Sequence, residues 1–285
     1  MTPRFDAPVG RYLHVDHDGL DHRVYFEQAG AGVPLLLQHT AGAHGVQWRH
    51  VFEDEWVTSR FQVIAYDLPF HGKSLPPPGR TWWAEEYKLS ARGLMEFVIG
   101  LADTLQINKP VFMGCSVGGL LALDLARWHP DRFRAVVAVE PSLKVTIPRD
   151  SLGGFWHPRV SSEYKAALMY GTMSPTSPET LRREVGFVYS AAWPPLFAGD
   201  LEYYAFDHDL TDEAAHIDTA TIGVHLLTGE YDYSAPVAHG QAAHDAIPGS
   251  TFTTMKGLGH FPMAEDPERF LEYLRPVLQQ VLEAS

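Results

Sequence analysis

The chain has 285 residues, of which 45% are hydrophobic and 20% are charged, and its formal net charge is -13 at pH 7. Its composition is ordinary for a globular protein, and its length suits one large domain or a domain with an insertion. The negative charge disfavours nucleic acids and anionic membrane surfaces as partners.

Strands are predicted where apolar or alternating runs end in turn residues. Residues 11–15 and 23–28 alternate apolar and polar side chains around an Asp-Gly turn, which is typical of a hairpin. Continuous apolar runs, which indicate strands buried on both faces, occupy residues 33–38, 61–66, 135–139 and the stretch that ends at Gly114. Helical spacing falls between these runs, at residues 48–55, 83–105 and 120–128. This alternation predicts an open, mostly parallel sheet that is covered by helices on both faces.

The alternation stops between residues 142 and 217. This stretch has no buried-strand run, carries helical patterns at residues 161–173 and 178–192, and is rich in aromatic residues. Most of these rings are expected to form the core of the stretch itself, and a few to line a pocket. Strands at 223–228 and 251–255 and helices at 236–246 and 267–282 then resume the pattern. We therefore predict a core domain of residues 1–141 and 218–285, with a helical cap insertion at residues 142–217.

The pattern G-x-S-x-G joins a predicted strand to a predicted helix at residues 114–118, with Ser116 at its centre. Such a turn holds a serine in strained backbone at a sheet edge, and its glycines let the two backbones pass closely. The N-terminus of the following helix stabilises negative charge that develops nearby. Ser116 is therefore a candidate nucleophile; in the alternative interpretation it is a bystander in a glycine-rich turn.

A serine nucleophile needs a general base, usually a histidine that a carboxylate orients. Asp232 follows the first predicted strand after the insertion, and His260 follows the second. The chain order Ser116, Asp232, His260 is the order expected of an α/β-hydrolase. The sequence resembles this superfamily over almost its whole length.

Further motifs support the resemblance. His39 ends a predicted strand where the family usually has His-Gly before an oxyanion-hole residue. Residues 67–74 are similar to the family's D-x-x-G-x-G-x-S turn, in which Pro69 or Phe70 departs from the first glycine. A helical cap after the sixth core strand is also a family feature. The resemblance implies an α/β fold with a mostly parallel eight-stranded sheet, helices on both faces and a helical cap insertion.

The resemblance also implies roles for single residues. Ser116 attacks an acyl carbonyl, His260 accepts the proton and later returns it to the leaving group, and Asp232 orients His260. The backbone N–H groups of Val117 and Ala41 are expected to form the oxyanion hole. These five residues form the predicted catalytic site.

Two positions leave alternatives open. Thr40 replaces the family's usual glycine, so its hydroxyl either joins the oxyanion hole or ties down the loop by hydrogen bonding, and we expect the second. Glu140 ends a predicted strand at a place where some relatives carry the acid of the triad. We prefer Asp232 as the acid and leave Glu140 at the border of the pocket.

No metal or cofactor is expected. Fifteen histidines are present, but none falls in an H-x-x-x-H or H-E-x-x-H pair on a helix. His71 and His208 are assigned to the surface or to structural roles, and His39 to ordering its loop. The single cysteine, Cys115, is expected to point into the core, and it excludes an internal disulfide and a cysteine-based zinc site.

These observations predict a serine hydrolase that cleaves a carboxylic ester or lactone through an acyl-enzyme on Ser116. The aromatic insertion favours a small-molecule substrate with an apolar or aromatic group. One alternative is hydrolysis of a carbon–carbon bond in a diketone-like substrate, which capped relatives with the same triad perform. Another, of a different class, is a ligand receptor that keeps the pocket without catalysis.

The cellular location is predicted from what the sequence lacks. Residues 1–6 show no apolar core after a basic start, so no signal peptide is expected. No uninterrupted apolar run approaches the length that spans a membrane. We expect a cytoplasmic protein without membrane or nucleic-acid partners, and a homodimer is a candidate assembly.

Overall fold

A single eight-stranded sheet runs through the part of the chain that the computed structural model describes, residues 5–157, 159–161 and 163–284. The strands are β1 (Val9–His17), β2 (Leu20–Ala29), β3 (Val33–Gln38), β4 (Phe61–Tyr66), β5 (Val111–Cys115), β6 (Ala135–Val139), β7 (Gly223–Gly229) and β8 (Thr251–Met255). Their order across the sheet is β1-β2-β4-β3-β5-β6-β7-β8. Strand β2 is antiparallel to both of its neighbours, and all other pairs are parallel. The predicted fold class is confirmed.

Helices connect the strands. They are α1 (Arg49–Phe52), α2 (Glu55–Thr58), α3 (Ala91–Thr104), α4 (Val117–Trp128), α5 (Glu163–Gly171), α6 (Glu179–Ser190), α7 (Leu196–Glu202), α8 (Val237–Ala246), α9 (Pro262–Glu265) and α10 (Pro267–Glu283). A π-helical turn, Tyr203–Asp207, extends α7. None of the helices in the described ranges combines the length and the hydrophobicity that spanning a bilayer requires.

The two faces of the sheet bury separate apolar clusters. On one face, Phe112 of β5 belongs to the cluster that includes Leu101 of α3 and Leu121 of α4. On the other face, Met113 belongs to the cluster that includes Leu274 of α10. Because successive strand residues point to opposite faces, a strand covered on both sides has to be apolar throughout. This explains the continuous apolar runs of the central strands.

Residues 142–217, which lie between β6 and β7, are what we call the helical segment. In its described residues, 142–157, 159–161 and 163–217, three α-helices and two short 3-10 turns accompany the π-helical turn. Side chains of the helical segment reach the loops at the carboxyl edge of the sheet. Arg49 forms a two-pronged ion pair with Glu184 of α6, with N–O distances of 2.6 and 2.8 Å. The division into a core domain and a cap domain stays a prediction, whereas the helical character of the segment is observed.

Two predicted helices differ from the structure. Residues 48–55 form short separate turns instead of one helix, because Asp54 interrupts the run and caps α2 by accepting from Val57 N–H. The helix predicted at 83–105 begins only at Ala91, where the Ser90 hydroxyl accepts from Gly93 N–H. Before it, Trp82–Ala84 forms a short 3-10 turn, and Leu89 N–H donates to the carbonyl of Gly199 in the helical segment.

Candidate active site

Ser116 lies in a strained turn between β5 and α4. Its backbone angles are φ 58° and ψ -113°, a conformation that costs a non-glycine residue free energy. The flanking glycines are required because a Cβ on Gly114 would lie 2.5 Å from the backbone of Gly118. Ser116 N–H donates to Val139 O at 3.0 Å, which anchors the turn to the neighbouring strand. The turn holds the serine at the carboxyl edge of the sheet, at the N-terminus of α4.

Asp232 and His260 lie on neighbouring loops, because β7 and β8 are adjacent parallel strands that end at the same edge. His260 Nδ1 is 2.8 Å from Asp232 Oδ2, and both side chains are buried. A carboxylate partner makes Nδ1 the protonated nitrogen of the neutral ring, which leaves Nε2 as an acceptor. Burial opposes the charge of Asp232, but the imidazole and its hydrogen bonds lower the pKa of this carboxyl. The pair therefore has the geometry of a base and its orienting acid.

Ser116 and His260 line the same cavity. Its volume is about 510 Å³, and the apolar part of its lining includes Val145, Ile147, Phe155, Leu168, Met169, Phe197 and Leu201. Several aromatic side chains of the helical segment thus face the cavity, as predicted, while others such as Tyr203 are buried elsewhere. The described residues that line the cavity include no lysine and no arginine. The arrangement suits an apolar small molecule that presents an electrophilic carbon to Ser116.

Two backbone N–H groups are candidates for the oxyanion hole. Val117 is the first residue of α4, and Ala41 lines the cavity in the loop after β3. Neither N–H donates a hydrogen bond within the described part of the chain. Unpaired N–H groups at a helix start and in a buried loop are suited to bind a developing oxyanion.

The hydroxyl of Thr40 forms hydrogen bonds with other side chains of the protein. It donates to Gln47 Oε1 at 3.0 Å and accepts from the Tyr189 hydroxyl at 2.5 Å, and the backbone N–H of Thr40 also donates to Gln47. Thr40 therefore ties the loop to α6, which favours the loop-ordering alternative over a place in the oxyanion hole. His39 acts in the same loop, donating from Nδ1 to Thr40 O and accepting at Nε2 from Leu68 N–H.

Glu140 is fully buried behind Asp232. Its carboxyl accepts from Gly229 N–H at 2.9 Å and shares a side-chain hydrogen bond with Asp232. Burial, together with the neighbouring charge of Asp232, raises the pKa of Glu140 well above the usual range of a carboxyl. A protonated Glu140 can donate to Asp232. The structure thus pairs Asp232, and not Glu140, with His260.

Three buried polar residues near the site were not predicted from the sequence. The Tyr204 hydroxyl lies 3.2 Å from Ser234 Oγ and interacts with the Ser116 hydroxyl. His71, which we assigned to the surface or to a structural role, is fully buried and lies 2.9 Å from Asp200 Oδ2. The position of His71 within the turn of residues 67–74 was the one sequence signal for this His71–Asp200 pair. Nothing in the sequence places Asp200 beside His71.

A group of potential metal ligands lies away from the cavity. Within the described residues, His17, Asp18 and Glu96 bring their ligand atoms within 4.8 Å of one another. Asp18 and Glu96 are exposed, and none of the three lines the cavity. We assign this group to the solvated surface of the hairpin and α3 and draw no metal site from it.

Known proteins share this architecture. A thermophilic esterase from Thermogutta terrifontis superposes with a TM-score of 0.81 at 23% identity, covering 95% of this chain and 99% of that one. The enol-lactonase of Burkholderia xenovorans superposes with a TM-score of 0.77 at 21% identity, covering 93% and 99%. At these identities the likeness establishes the fold alone.

Sequence comparison adds the family. A 2-hydroxy-6-oxononadienedioate/2-hydroxy-6-oxononatrienedioate hydrolase of Paraburkholderia phymatum is 25% identical over 96% of this chain and 97% of that protein. A pimeloyl-[acyl-carrier protein] methyl ester esterase of Vibrio vulnificus is 25% identical over 88% of this chain and 96% of that protein. The model of the alpha/beta hydrolase family matches residues 35–273. The chain therefore belongs to the alpha/beta hydrolase family.

Proposed function

We propose that the protein is a serine hydrolase that cleaves carboxylic esters or lactones through an acyl-enzyme on Ser116. One observation carries the proposal. Ser116, held in a strained turn, shares a cavity with His260, whose Nδ1 is 2.8 Å from Asp232. A nucleophile, a base with a free nitrogen and an orienting acid are the parts that acyl transfer requires.

The first half of the reaction forms the acyl-enzyme. Ser116 Oγ attacks the carbonyl carbon while its proton passes to Nε2 of His260, and the carbonyl oxygen becomes an oxyanion. The N–H groups of Ala41 and Val117 donate to this oxyanion, and each such donor is worth about 3 kcal/mol of barrier. The oxyanion then collapses, the bond to the alcohol oxygen breaks, and the alcohol leaves with the proton from His260.

The second half returns the free enzyme. A water molecule gives one proton to Nε2 of His260 and attacks the acyl carbon, which forms a second oxyanion in the same place. Its collapse breaks the bond to Ser116 Oγ, which takes the proton back from His260. Asp232 keeps Nδ1 protonated throughout and stabilises the cationic ring between the two transfers.

The cavity supports an uncharged, apolar substrate. Its lining is mostly apolar and aromatic, and the absence of lysine and arginine among the described lining residues leaves a substrate carboxylate without a permanently cationic partner. The named activities of the similar esterases and the enol-lactonase agree with ester or lactone cleavage. We further propose a cofactor-free cytoplasmic enzyme whose helical segment acts as a cap over the site.

Carbon–carbon bond hydrolysis is the second candidate. It is favoured by the similarity to the hydrolase of Paraburkholderia phymatum, which covers nearly the whole of both chains. The substrate named for that relative is a dicarboxylate, and such an ion calls for cationic groups in the cavity. We therefore rank this activity below ester hydrolysis. A non-catalytic receptor ranks lower still, because a receptor has no need of a strained serine beside an oriented histidine.

Turnover of p-nitrophenyl esters tests the proposal and measures the cavity. We expect kcat/KM to rise about fourfold for each added CH2, because each buried CH2 contributes about 0.8 kcal/mol. The rise should stop where the acyl chain fills the cavity of about 510 Å³. Steady-state kinetics over a series from acetate to laurate gives this optimum. No turnover of any ester, with Ser116 still labelled by a fluorophosphonate, would contradict ester hydrolysis and favour the carbon–carbon hydrolase.

A second experiment separates Asp232 from Glu140 as the acid. In the variant Glu140→Gln, the amide N–H can donate to Asp232 and the amide oxygen can accept from Gly229 N–H, as a protonated glutamic acid does. We expect kcat within about fivefold of the wild type, since one neutral hydrogen bond replaces another of similar strength. A loss of about 10⁴-fold would identify Glu140 as the acid that orients His260. Glu140→Ala, which leaves Gly229 N–H unpaired, should lower the free energy of unfolding by about 1–3 kcal/mol.

A further inference from the structure

Asp200 is a buried carboxylate of α7 that accepts hydrogen bonds from three separate parts of the chain. Its side chain accepts from Gly42 N–H at 2.6 Å, from His71 Nε2–H at 2.9 Å and from the Tyr87 hydroxyl at 2.9 Å. Gly42 follows Ala41 in the loop after β3. Asp200 thus joins the helical segment to the loop that holds the proposed oxyanion donor.

The pairing with His71 makes this buried charge tolerable. His71 also donates from Nδ1 to Pro69 O at 3.0 Å, so both of its ring nitrogens are donors. Burial opposes its charge, but the carboxylate of Asp200, together with the hydrogen bond to Pro69 O and the charge of Asp67, outweighs this effect and raises the pKa of His71. The other titratable groups that interact with the pair include His39, His44, Asp67, Tyr87, Lys165 and Tyr189. The His71 imidazolium and the Asp200 carboxylate compensate each other's charge, which two buried charged groups require.

The loop is held so that the N–H of Ala41 has a defined direction. The carbonyl of Thr40 accepts from His39 Nδ1 at 2.9 Å, and in a trans peptide the following N–H points the opposite way. On the other side, Gly42 has φ +64°, and a Cβ there would lie 2.9 Å from Phe197 of α7. The bond from Gly42 to Asp200 therefore fixes the second peptide plane that flanks Ala41. Ala43 N–H closes the turn by donating to Thr40 O at 3.3 Å, and the bond to Asp200 ties Gly42 within this turn to the helical segment.

We propose that Asp200, paired with His71, is a positioning residue that aligns the Ala41 N–H with the oxyanion, so that the helical segment sets the activity of the core. This inference rests on the proposed function. It predicts that Asp200 acts on the transition state, where the oxyanion exists, and not on the bound ground state. Asp200 does not line the cavity, and its bond to Gly42 is its direct contact with the loop that carries Ala41.

The test compares kcat, KM and the affinity for an alkyl trifluoromethyl ketone, which forms a tetrahedral oxyanion on the serine. In Asp200→Ala we expect kcat to fall about 100-fold, because a displacement of about 1 Å at a reacting group has an effect of this size. KM should change less than about threefold, and the affinity for the ketone should fall in parallel with kcat. Asp200→Asn keeps an acceptor for Gly42 but loses the charge, and should restore most of the activity.

The chain offers a matched control. Asp124 of α4 is also buried, accepts from His208 Nδ1 at 3.0 Å and from the Tyr203 hydroxyl at 2.6 Å, and has no bond to the loop after β3 in the described structure. Asp124→Ala and Asp124→Asn therefore break an equivalent Asp–His–Tyr group. We expect them to lower the stability to urea as much as the Asp200 variants do, with kcat and ketone affinity within about threefold of the wild type.

Equal losses of kcat in the Asp200 and Asp124 variants would overturn the inference, because Asp200 would then be merely structural. A raised KM with unchanged kcat in Asp200→Ala would overturn it as well. Amide NMR adds a readout that needs no turnover. Asp200→Ala should move the amide signals of Ala41 and Gly42, and Asp124→Ala should leave them in place. If the wild type cleaves no ester but the amide signals of Ala41 and Gly42 still move, the proposed function is wrong and Asp200 still positions the loop. If these signals do not move, Asp200 does not position the loop.

Discussion

Replacing Ser116 with alanine is expected to reduce ester hydrolysis on the order of 10⁶-fold and to abolish labelling by a fluorophosphonate. Alanine has no hydroxyl, so no acyl-enzyme forms, and neither His260 nor the oxyanion donors have a nucleophile on which to act. Alanine keeps the unusual backbone angles of Ser116 and is as strained there as serine, so the fold should survive. Steady-state kinetics and intact-protein mass spectrometry after labelling measure the two effects.

A suitable control is Ser177→Ala. Ser177 is buried, and its Oγ has no hydrogen-bond partner among the described residues, so its loss should change neither activity nor labelling. Thermal unfolding of both variants shows whether the protein stays folded. If Ser116→Ala kept more than about one per cent of the turnover, or if the mass of the label stayed on the protein, another residue would be the nucleophile and the proposed mechanism would be wrong.

The fold was predictable because short, continuous stretches of the sequence determine its strands and the turn around Ser116. A strand buried on both faces has to be apolar throughout, so residues 33–38, 61–66 and 135–139 are visible in the sequence with their observed bounds. The turn around Ser116 is encoded in residues 114–118, in which two glycines permit a backbone approach that other residues forbid. Parallel strands that end at one edge then bring the polar residues that follow them together.

The contacts made by the helical segment were not predictable in the same way. Asp200 meets Gly42 and His71 across 158 and 129 residues, and Tyr189 meets Thr40 across 149. Such contacts depend on how helices pack, which neither periodicity nor a short motif encodes. His71 therefore looked like one of many scattered histidines. The raised pKa of Glu140 was hidden for a similar reason, because it follows from burial beside Asp232.

The second large effect is expected for Asp232→Asn, which should lower kcat about 10⁴-fold with little change in KM. The side-chain amide of asparagine donates to Nδ1 of His260 in place of the carboxylate that accepts from it. The neutral ring then carries its proton on Nε2, so it cannot take the proton of Ser116, and the cationic ring loses the charge that stabilises it. The same tautomer slows labelling of Ser116, which gives a second measure of the same defect.

Asp124→Asn is the matched control for this variant too, because it replaces a carboxylate that is 3.0 Å from Nδ1 of another buried histidine, His208. Asp124→Asn should leave kcat within about threefold of the wild type. The comparison then separates the general effect of removing a buried charge from the specific effect of Asp232→Asn on His260. Glu140→Gln completes the comparison. An inactive Asp232→Asn beside an active Glu140→Gln supports Asp232 as the acid, whereas the reverse pattern would mean that His260 turns toward Glu140 during catalysis. We expect an inactive Asp232→Asn and an active Glu140→Gln. Glu140 shares a hydrogen bond with Asp232, and when Glu140 is protonated the negative charge of the two carboxyls lies on Asp232, which His260 contacts.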